Sequence, residues 1–312
     1  MKENLPLVSI LIPTYNQTEY LEKALMSALN QTYTNIEIII CDDSTNDEVE
    51  KMVTRYTANH KNIKYYNNGG PLGQRGILNG QKCFELSNGE YINFLFHDDV
   101  FHPNKIEIMV NYFMNNKDVT LVTSSRNRIN KNDELVYIHK FLPKTTKITG
   151  ESLGALMLHI MENIVGEPTT ALFKKADIED DIFSYKGRGA RSYVDMAIWF
   201  KLLLKGNAIY IVEPLSSFRI HGTQNTNNPI IHLLGAIDKY YFLTDSYLNK
   251  DFIKSKEAYL KILRRWFNLY VGKIKELQNY SPKNDKESKE LIEIKEDLYF
   301  CYSQSIKCLI AL

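Results

Sequence analysis

The sequence predicts an α/β fold, with a mostly parallel central sheet flanked by helices and a helical extension at its end. Short apolar runs stop abruptly at proline or aspartate, which is the pattern of buried strands. Between them, apolar residues recur at helical spacing, so strands and helices alternate as a parallel sheet requires. Beyond about residue 228 only the helical period is left.

Val8 to Ile12 is the first strand, stopped by Pro13, and a helix follows from about Thr18 with Leu21, Leu25, Ala28 and Leu29 on one face. Ile36 to Cys41 is the second strand, and Val49, Met52, Val53 and Tyr56 space the next helix. Ile63 to Tyr66 is a third strand, a helix is expected near Gly73 to Ser87, and Tyr91 to Phe96 is a fourth strand. Pro103 suits a first helical turn, and Ile106, Met109, Val110, Phe113 and Met114 continue that helix. The middle holds strands at Val119–Val122, Leu135–Ile138 and Thr169–Phe173, and a helix through Leu153, Leu156, Met157 and Ile160. A further helix opens at Ser192–Asp195 and ends on a glycine stop at Gly206, before a last strand, Ala208–Val212. The chain is therefore read as a unit over residues 1–228 and helices over 229–312.

Composition removes several function classes. With 44% hydrophobic and 24% charged residues the chain is an ordinary globular protein, and its net charge of +1 provides no general attraction for nucleic acid. Cys41, Cys83, Cys301 and Cys308 form no Cys-x-x-Cys pair and suggest no disulfide framework. The first residues lack the apolar core of a signal peptide, and no apolar run approaches the roughly 18 residues of a membrane span. A cytoplasmic location is expected.

Two pairs of carboxylates carry the chemistry. Asp42-Asp43 ends the second strand and Asp98-Asp99 follows the fourth. Ligands of open α/β sheets sit outside the carboxyl ends of the strands, so acidic tips on neighbouring strands would face one pocket. Their oxygens suit Mg²⁺ or Mn²⁺, and such a cation suits a diphosphate. Aspartate is equally a residue of turns and helix N-caps, which one pair alone leaves open; two pairs favour a site.

The order of motifs resembles the family 2 glycosyltransferases, inverting enzymes of the GT-A fold, over about residues 6–226. Val8-Ser9-Ile10-Leu11-Ile12-Pro13-Thr14-Tyr15-Asn16 looks like the family's opening strand and nucleotide loop. Ile39-Ile40-Cys41-Asp42-Asp43 looks like its second strand, and Gly89-Glu90-Tyr91-Ile92 with Asp98-Asp99 like its acidic metal-binding segment. Gly166-Glu167-Pro168-Thr169-Thr170 is similar to bacterial members, and Phe218-Arg219-Ile220-His221-Gly222-Thr223-Gln224-Asn225-Thr226 to the closing Arg-x-His segment.

The resemblance implies a metal-dependent hexosyl- or N-acetylhexosaminyl-transferase that takes a UDP-sugar to a hydroxyl of a glycan, lipid-linked glycan or protein acceptor. Pro13, Thr14, Tyr15, Asn16, Asp43 and Arg75 would line the nucleotide-sugar donor, with Tyr15 stacking on the base and Asp43 accepting from its N–H. Asp99 is the expected direct metal ligand, Asp98 would reach ribose or metal, and His221 either completes the metal site or is a buried, hydrogen-bonded histidine. The common pattern is Asp-x-Asp-Asp, and Phe96 replaces its leading Asp here; His97 is read as a loop residue. Asp195 is the expected general base, although Ser192-x-x-Asp195 is also a capping-box pattern.

Rival readings fit less well. Gly70, Gly73 and Gly76 have neither the spacing nor the place of a dinucleotide loop, and no P-loop exists. Pro13-Thr14-Tyr15-Asn16 is not the glycine- and arginine-rich loop of a nucleotidylyltransferase. A non-catalytic sugar-nucleotide binder or assembly subunit of the same fold is the alternative, and Asp99 with Asp195 argues against it. The basic, amphipathic stretch from Lys254 to Leu277 is expected to pack on neighbouring helices or a second subunit, as in a homodimer, or to rest on an anionic membrane at its inner face.

Overall fold

A computed structural model describes residues 5–222, 228–273, 280–282 and 284–311. The first half alternates β1 (Val8–Thr14), α1 (Glu19–Leu29), β2 (Ile36–Asp42), α2 (Glu48–Thr57), β3 (Ile63–Asn67), α3 (Ile77–Leu86), β4 (Tyr91–Phe94), β5 (Val100–Phe101) and α4 (Lys105–Asn115). Then come β6 (Val119–Ile129), β7 (Leu135–His139), β8 (Thr146–Ile148), α5 (Gly150–Ile160), β9 (Leu172–Lys174), β10 (Ser184–Tyr185), β11 (Arg188–Gly189), α6 (Val194–Lys205) and β12 (Asn207–Arg219). Three further helices follow: α7 (Pro229–Leu248), α8 (Lys256–Tyr270) and α9 (Asp285–Ile310).

The central sheet runs β3-β2-β1-β4-β9-β6-β12-β5, with β7 on β6 and β8 on β12. β1, β2, β3 and β4 are mutually parallel, as are β6 and β12; the short β9 joins the two groups antiparallel to both. From β1 the chain moves outward through β2 and β3, then returns to the other side of β1 as β4. That reversal is the switch point where open α/β sheets bind ligands. β1 also separates the two acidic strands, so Asp42-Asp43 and Asp98-Asp99 flank a shared strand and do not end adjacent ones.

Other expectations change in detail. α3 starts only at Ile77 because the preceding turn is left-handed, with positive φ at Gly73, Gln74, Arg75 and Gly76. Thr169 and Thr170 form a helical turn rather than strand. Gly206 ends α6 in an extended conformation, not as a left-handed stop. It is glycine because a Cβ would lie 2.6 Å from Thr120 Cγ2 and 2.8 Å from the Asp118 carbonyl.

The apolar stripe of α8 is used inside the chain. Tyr259, Ile262, Leu263 and Trp266 are buried in one cluster with Leu234, Ala236 and Tyr240 of α7, Leu298 and Tyr302 of α9, and Trp199 of α6. Trp266 Nε1 donates to the Ala236 carbonyl at 2.8 Å. Ile274, Lys275 and Leu277 of that stripe lie outside the described residues. Deleting residues 251–312 is therefore expected to strip the cover from α7 and lose soluble protein, read by gel filtration with light scattering. A soluble, fully active monomer would show that the segment is dispensable.

Candidate active site

The loop after β1 is tied to the loop after β2. The Asn16 N–H donates to Ser44 Oγ at 2.8 Å and its Oδ1 accepts the Thr45 N–H at 3.0 Å, with φ of 47° at Asn16. Asn79 of α3 pins both strand ends, donating to the Thr14 carbonyl at 3.2 Å and the Cys41 carbonyl at 3.0 Å. Pro13 is half-buried, Thr14 is buried, and the Tyr15 ring stands 49% exposed beside them. Of the first acidic pair, Asp42 is spent on the fold, accepting from Tyr65 Oη at 2.7 Å and the Ser44 N–H at 2.8 Å. Asp43 takes Asn68 Nδ2 at 2.7 Å. Pro13, Thr14, Tyr15, Asn16 and Asp43 thus meet at the carboxyl ends of β1 and β2. Arg75 is engaged elsewhere, in an ion pair with Glu290 of α9.

The second pair divides the other way. Asp99 is fully buried and uses both oxygens, Oδ2 accepting from Thr169 Oγ1 at 2.6 Å and Oδ1 from the Arg219 N–H at 3.1 Å. Burial, then the Asp98 charge, pushes its carboxyl well above the usual range. Asp98 is half-buried, and its Oδ2 lies 3.1 Å from His221 Nε2. Arg219 fixes this arrangement from below: its Nε donates to the Asp98 carbonyl at 2.9 Å and Nη1 reaches Asp133 Oδ1 at 2.6 Å. His97 Nδ1 lies 3.3 Å from the Pro13 carbonyl oxygen. Thr223 to Thr226 of the closing segment lie outside the described residues. Thr169→Val should leave Asp99 Oδ2 without its donor and cost about 1–3 kcal/mol, read by denaturant titration.

Asp195 opens α6, and the alternative of a capping box with Ser192 is not what holds it. The N-cap is Tyr193, without a side-chain bond; Asp238 of α7 takes the backbone N–H groups of Arg191, Ser192 and Tyr193 instead. Asp195 Oδ2 accepts Asn163 Nδ2 at 2.6 Å and Oδ1 the Met196 N–H at 2.7 Å. Burial pushes its pKa up to about 7, and Glu167 adds to the rise.

Sequence reading missed several neighbours. Arg126 and Arg128 alternate along β6 onto one face and grip Glu167 at 2.5 and 2.7 Å. Their two-residue spacing on a strand was the available signal. Gly166 has φ of 102°, and a Cβ there would lie 2.7 Å from Arg126 Nη1. Glu167 raises the carboxyl pKa of both Asp99 and Asp195.

Among the described residues no three His, Cys, Asp or Glu side chains are gathered for a metal. The Asp98 carboxylate by itself fits Mg²⁺ or Mn²⁺, since such hard ions are often held by one or two carboxylates together with substrate phosphates.

Residues 9–180 match the sequence profile of Glycosyl transferase family 2. The chain belongs to that family. This glycosyltransferase is 32% identical over 261 residues to an uncharacterized glycosyltransferase of Rickettsia typhi, covering 80% of this chain and 74% of the relative. It is 30% identical over 135 residues to the chondroitin synthase of Escherichia coli, 43% of this chain and 19% of that one. Its fold matches the crystal structure of S. aureus TarS residues 1–349, with a TM-score of 0.66 at 15% identity over 97% of this chain and 82% of TarS. The match to TarS in complex with UDP-GlcNAc has a TM-score of 0.68 at 14% identity, over 97% of this chain and 83% of that one. The architecture is therefore the GT-A one.

Proposed function

We propose that this glycosyltransferase moves a sugar from a UDP-sugar to an acceptor hydroxyl with inversion, assisted by Mn²⁺ or Mg²⁺, in the assembly of bacterial surface glycans or glycoproteins. The observation that carries this is the pairing of Asp98 with His221 at the switch point, with the buried carboxyl of Asp195 opening α6. The TarS complexes with UDP and UDP-GlcNAc support the choice of nucleotide.

Tyr15 offers an exposed ring for the base, and Asp43 an acceptor for the N–H of a pyrimidine. The buried state of Asp99 favours Asp98, with His221, as the side of the pair that meets metal, leaving Asp99 to brace the loop from behind. The bound cation would supply positive charge to the leaving diphosphate. Asp195 takes the proton of the acceptor hydroxyl as its oxygen bonds to the anomeric carbon. The bond from that carbon to the diphosphate breaks, and its electron pair leaves with UDP. One displacement inverts the centre and needs no enzyme nucleophile. Arg75 is the donor residue least supported by its position; reaching a diphosphate would require release from Glu290.

No described helix is long and apolar enough to cross a membrane. A cytoplasmic enzyme touching the inner membrane face through Lys256, Lys261 and Arg264 of α8 fits the lipid-linked or glycan acceptors. Ile292, Tyr299 and Ile306, exposed on α9, are where a second copy would pack. The donor assignment is tested by thermal shift with a panel of nucleotide sugars and Mn²⁺. A UDP-sugar should stabilise the protein most; selective stabilisation by GDP- or CMP-sugars would overturn the nucleotide.

A further inference from the structure

Asn163 follows the end of α5 and is half-buried. Its Oδ1 accepts the Gly166 N–H at 3.0 Å, and its Nδ2 donates back to the Gly166 carbonyl at 2.9 Å. A backbone N–H can only donate, so this pair of bonds fixes which end of the amide is nitrogen. That nitrogen has a second hydrogen, which goes to Asp195 Oδ2 at 2.6 Å. Among the described residues Asn163 is the one side chain that hydrogen-bonds to Asp195. The other bond to the carboxylate, from the Met196 N–H to Oδ1 at 2.7 Å, comes from its own helix.

The peptide under Asn163 is held on several sides. Gly166 has φ of 102°, a conformation that favours glycine, and a Cβ there would lie 2.7 Å from Arg126 Nη1 and 2.8 Å from Thr170 Oγ1. Its carbonyl also accepts Trp199 Nε1 at 3.1 Å, from one turn beyond Asp195 on α6. Just before it, the Val165 carbonyl takes Thr123 Oγ1 of β6 at 2.7 Å. Just after it, Glu167 is held by Arg126 and Arg128. A turn of this kind needs only the side-chain oxygen, which aspartate would supply as well. Aspartate would, however, set a second carboxyl 2.6 Å from Asp195, where like charges repel. The choice of an amide answers to Asp195 rather than to the turn.

We propose that Asn163 is a positioning residue for the acceptor reaction: locked onto the Gly166 peptide, its amide N–H holds the Asp195 carboxylate in one orientation from outside α6. The inference rests on the reading of Asp195 as base. With the Met196 bond alone the carboxylate is free to swing about its Cβ–Cγ bond; with a bond to each oxygen its plane is fixed. A donor to the ionised form also favours that form, against the upward push of burial and of Glu167. The other titratable groups that act with Asp195 are Lys239 of α7, Arg126 of β6 and Tyr193 at the start of α6.

The test is a pH titration of the whole protein labelled with ¹³C-aspartate, the Asp195 carboxyl signal being the one lost in Asp195→Asn. Asn163→Ala should raise that signal's midpoint by roughly one pH unit, the worth of one hydrogen bond to a charged group. Acceptor transfer should lose kcat at neutral pH, with its pH profile displaced upward by the same amount and donor affinity unchanged. If Asn163→Ala does not fold, Asn163→Ser keeps a hydroxyl for the Gly166 N–H, is too short to reach Asp195 and has the same readout. A residue that only closed the turn would cost stability and leave the Asp195 midpoint in place; that unchanged midpoint overturns the proposal. The titration reports the Asn163–Asp195 bond whether or not Asp195 is the base. The base reading stands or falls on transfer by Asp195→Asn, so the two failures are told apart.

Discussion

Asp195→Asn is expected to lose acceptor transfer by roughly 10²–10⁴-fold, the usual worth of a positioned base, while donor affinity stays near wild type. The amide oxygen can still accept the Met196 N–H at its place, and Asp238 holds the helix start, so the fold should persist. What the amide cannot do is take a proton. Because burial sets the Asp195 pKa at about 7, kcat/KM of the wild type should rise from pH 6 to pH 8. The sign of the stability effect follows from the same shift. Between the unfolded value near 4 and about 7 the folded protein binds the extra proton, so wild-type stability falls as pH rises through that window. Asp195→Asn should gain stability relative to wild type over the same interval, read by thermal melts at pH 5 and pH 8. Near-normal transfer by the variant would remove Asp195 from the chemistry.

The second large effect is expected at Asp98. Asp98→Ala should abolish metal-assisted donor binding, since His221 alone would face the cation. Folding should survive, because Arg219 binds the Asp98 backbone carbonyl and the Arg219 N–H binds Asp99. Turnover should fall by orders of magnitude, as for other groups that stabilise developing charge. Asp99→Asn should act differently, chiefly as a loss of stability, since Asp99 is buried behind the site with both oxygens in use. Full activity of Asp98→Ala with a crippled Asp99→Asn of normal stability would return the metal to Asp99.

Local pattern made the strand ends legible. Pro13 after an apolar run, and Asp pairs after Cys41 and His97, located the loops around the switch point without any structure. The sequence reading chose Asp43 over Asp42, but what engages Asp42 and Asp99 in the fold was not legible. Those partners lie far along the chain: Tyr65 takes Asp42, and Thr169 with Arg219 takes Asp99. The capping alternative for Asp195 was undecidable for the same reason. Its resolution is Asp238, 43 positions further on, a distance at which no helical or strand period relates the two residues. The sheet's mixed order was hidden as well, because β9 inserts between β4 and β6 by a long excursion through α5.

Calorimetric titration of UDP into the protein tests the central claim most directly, once with Mn²⁺ and once with EDTA. Saturable one-site binding with Mn²⁺ that weakens at least tenfold in EDTA, and that Asp98→Ala brings to the same low level, is the predicted result. Equal affinity with and without the cation, or full Mn²⁺-dependent affinity in Asp98→Ala, would contradict it.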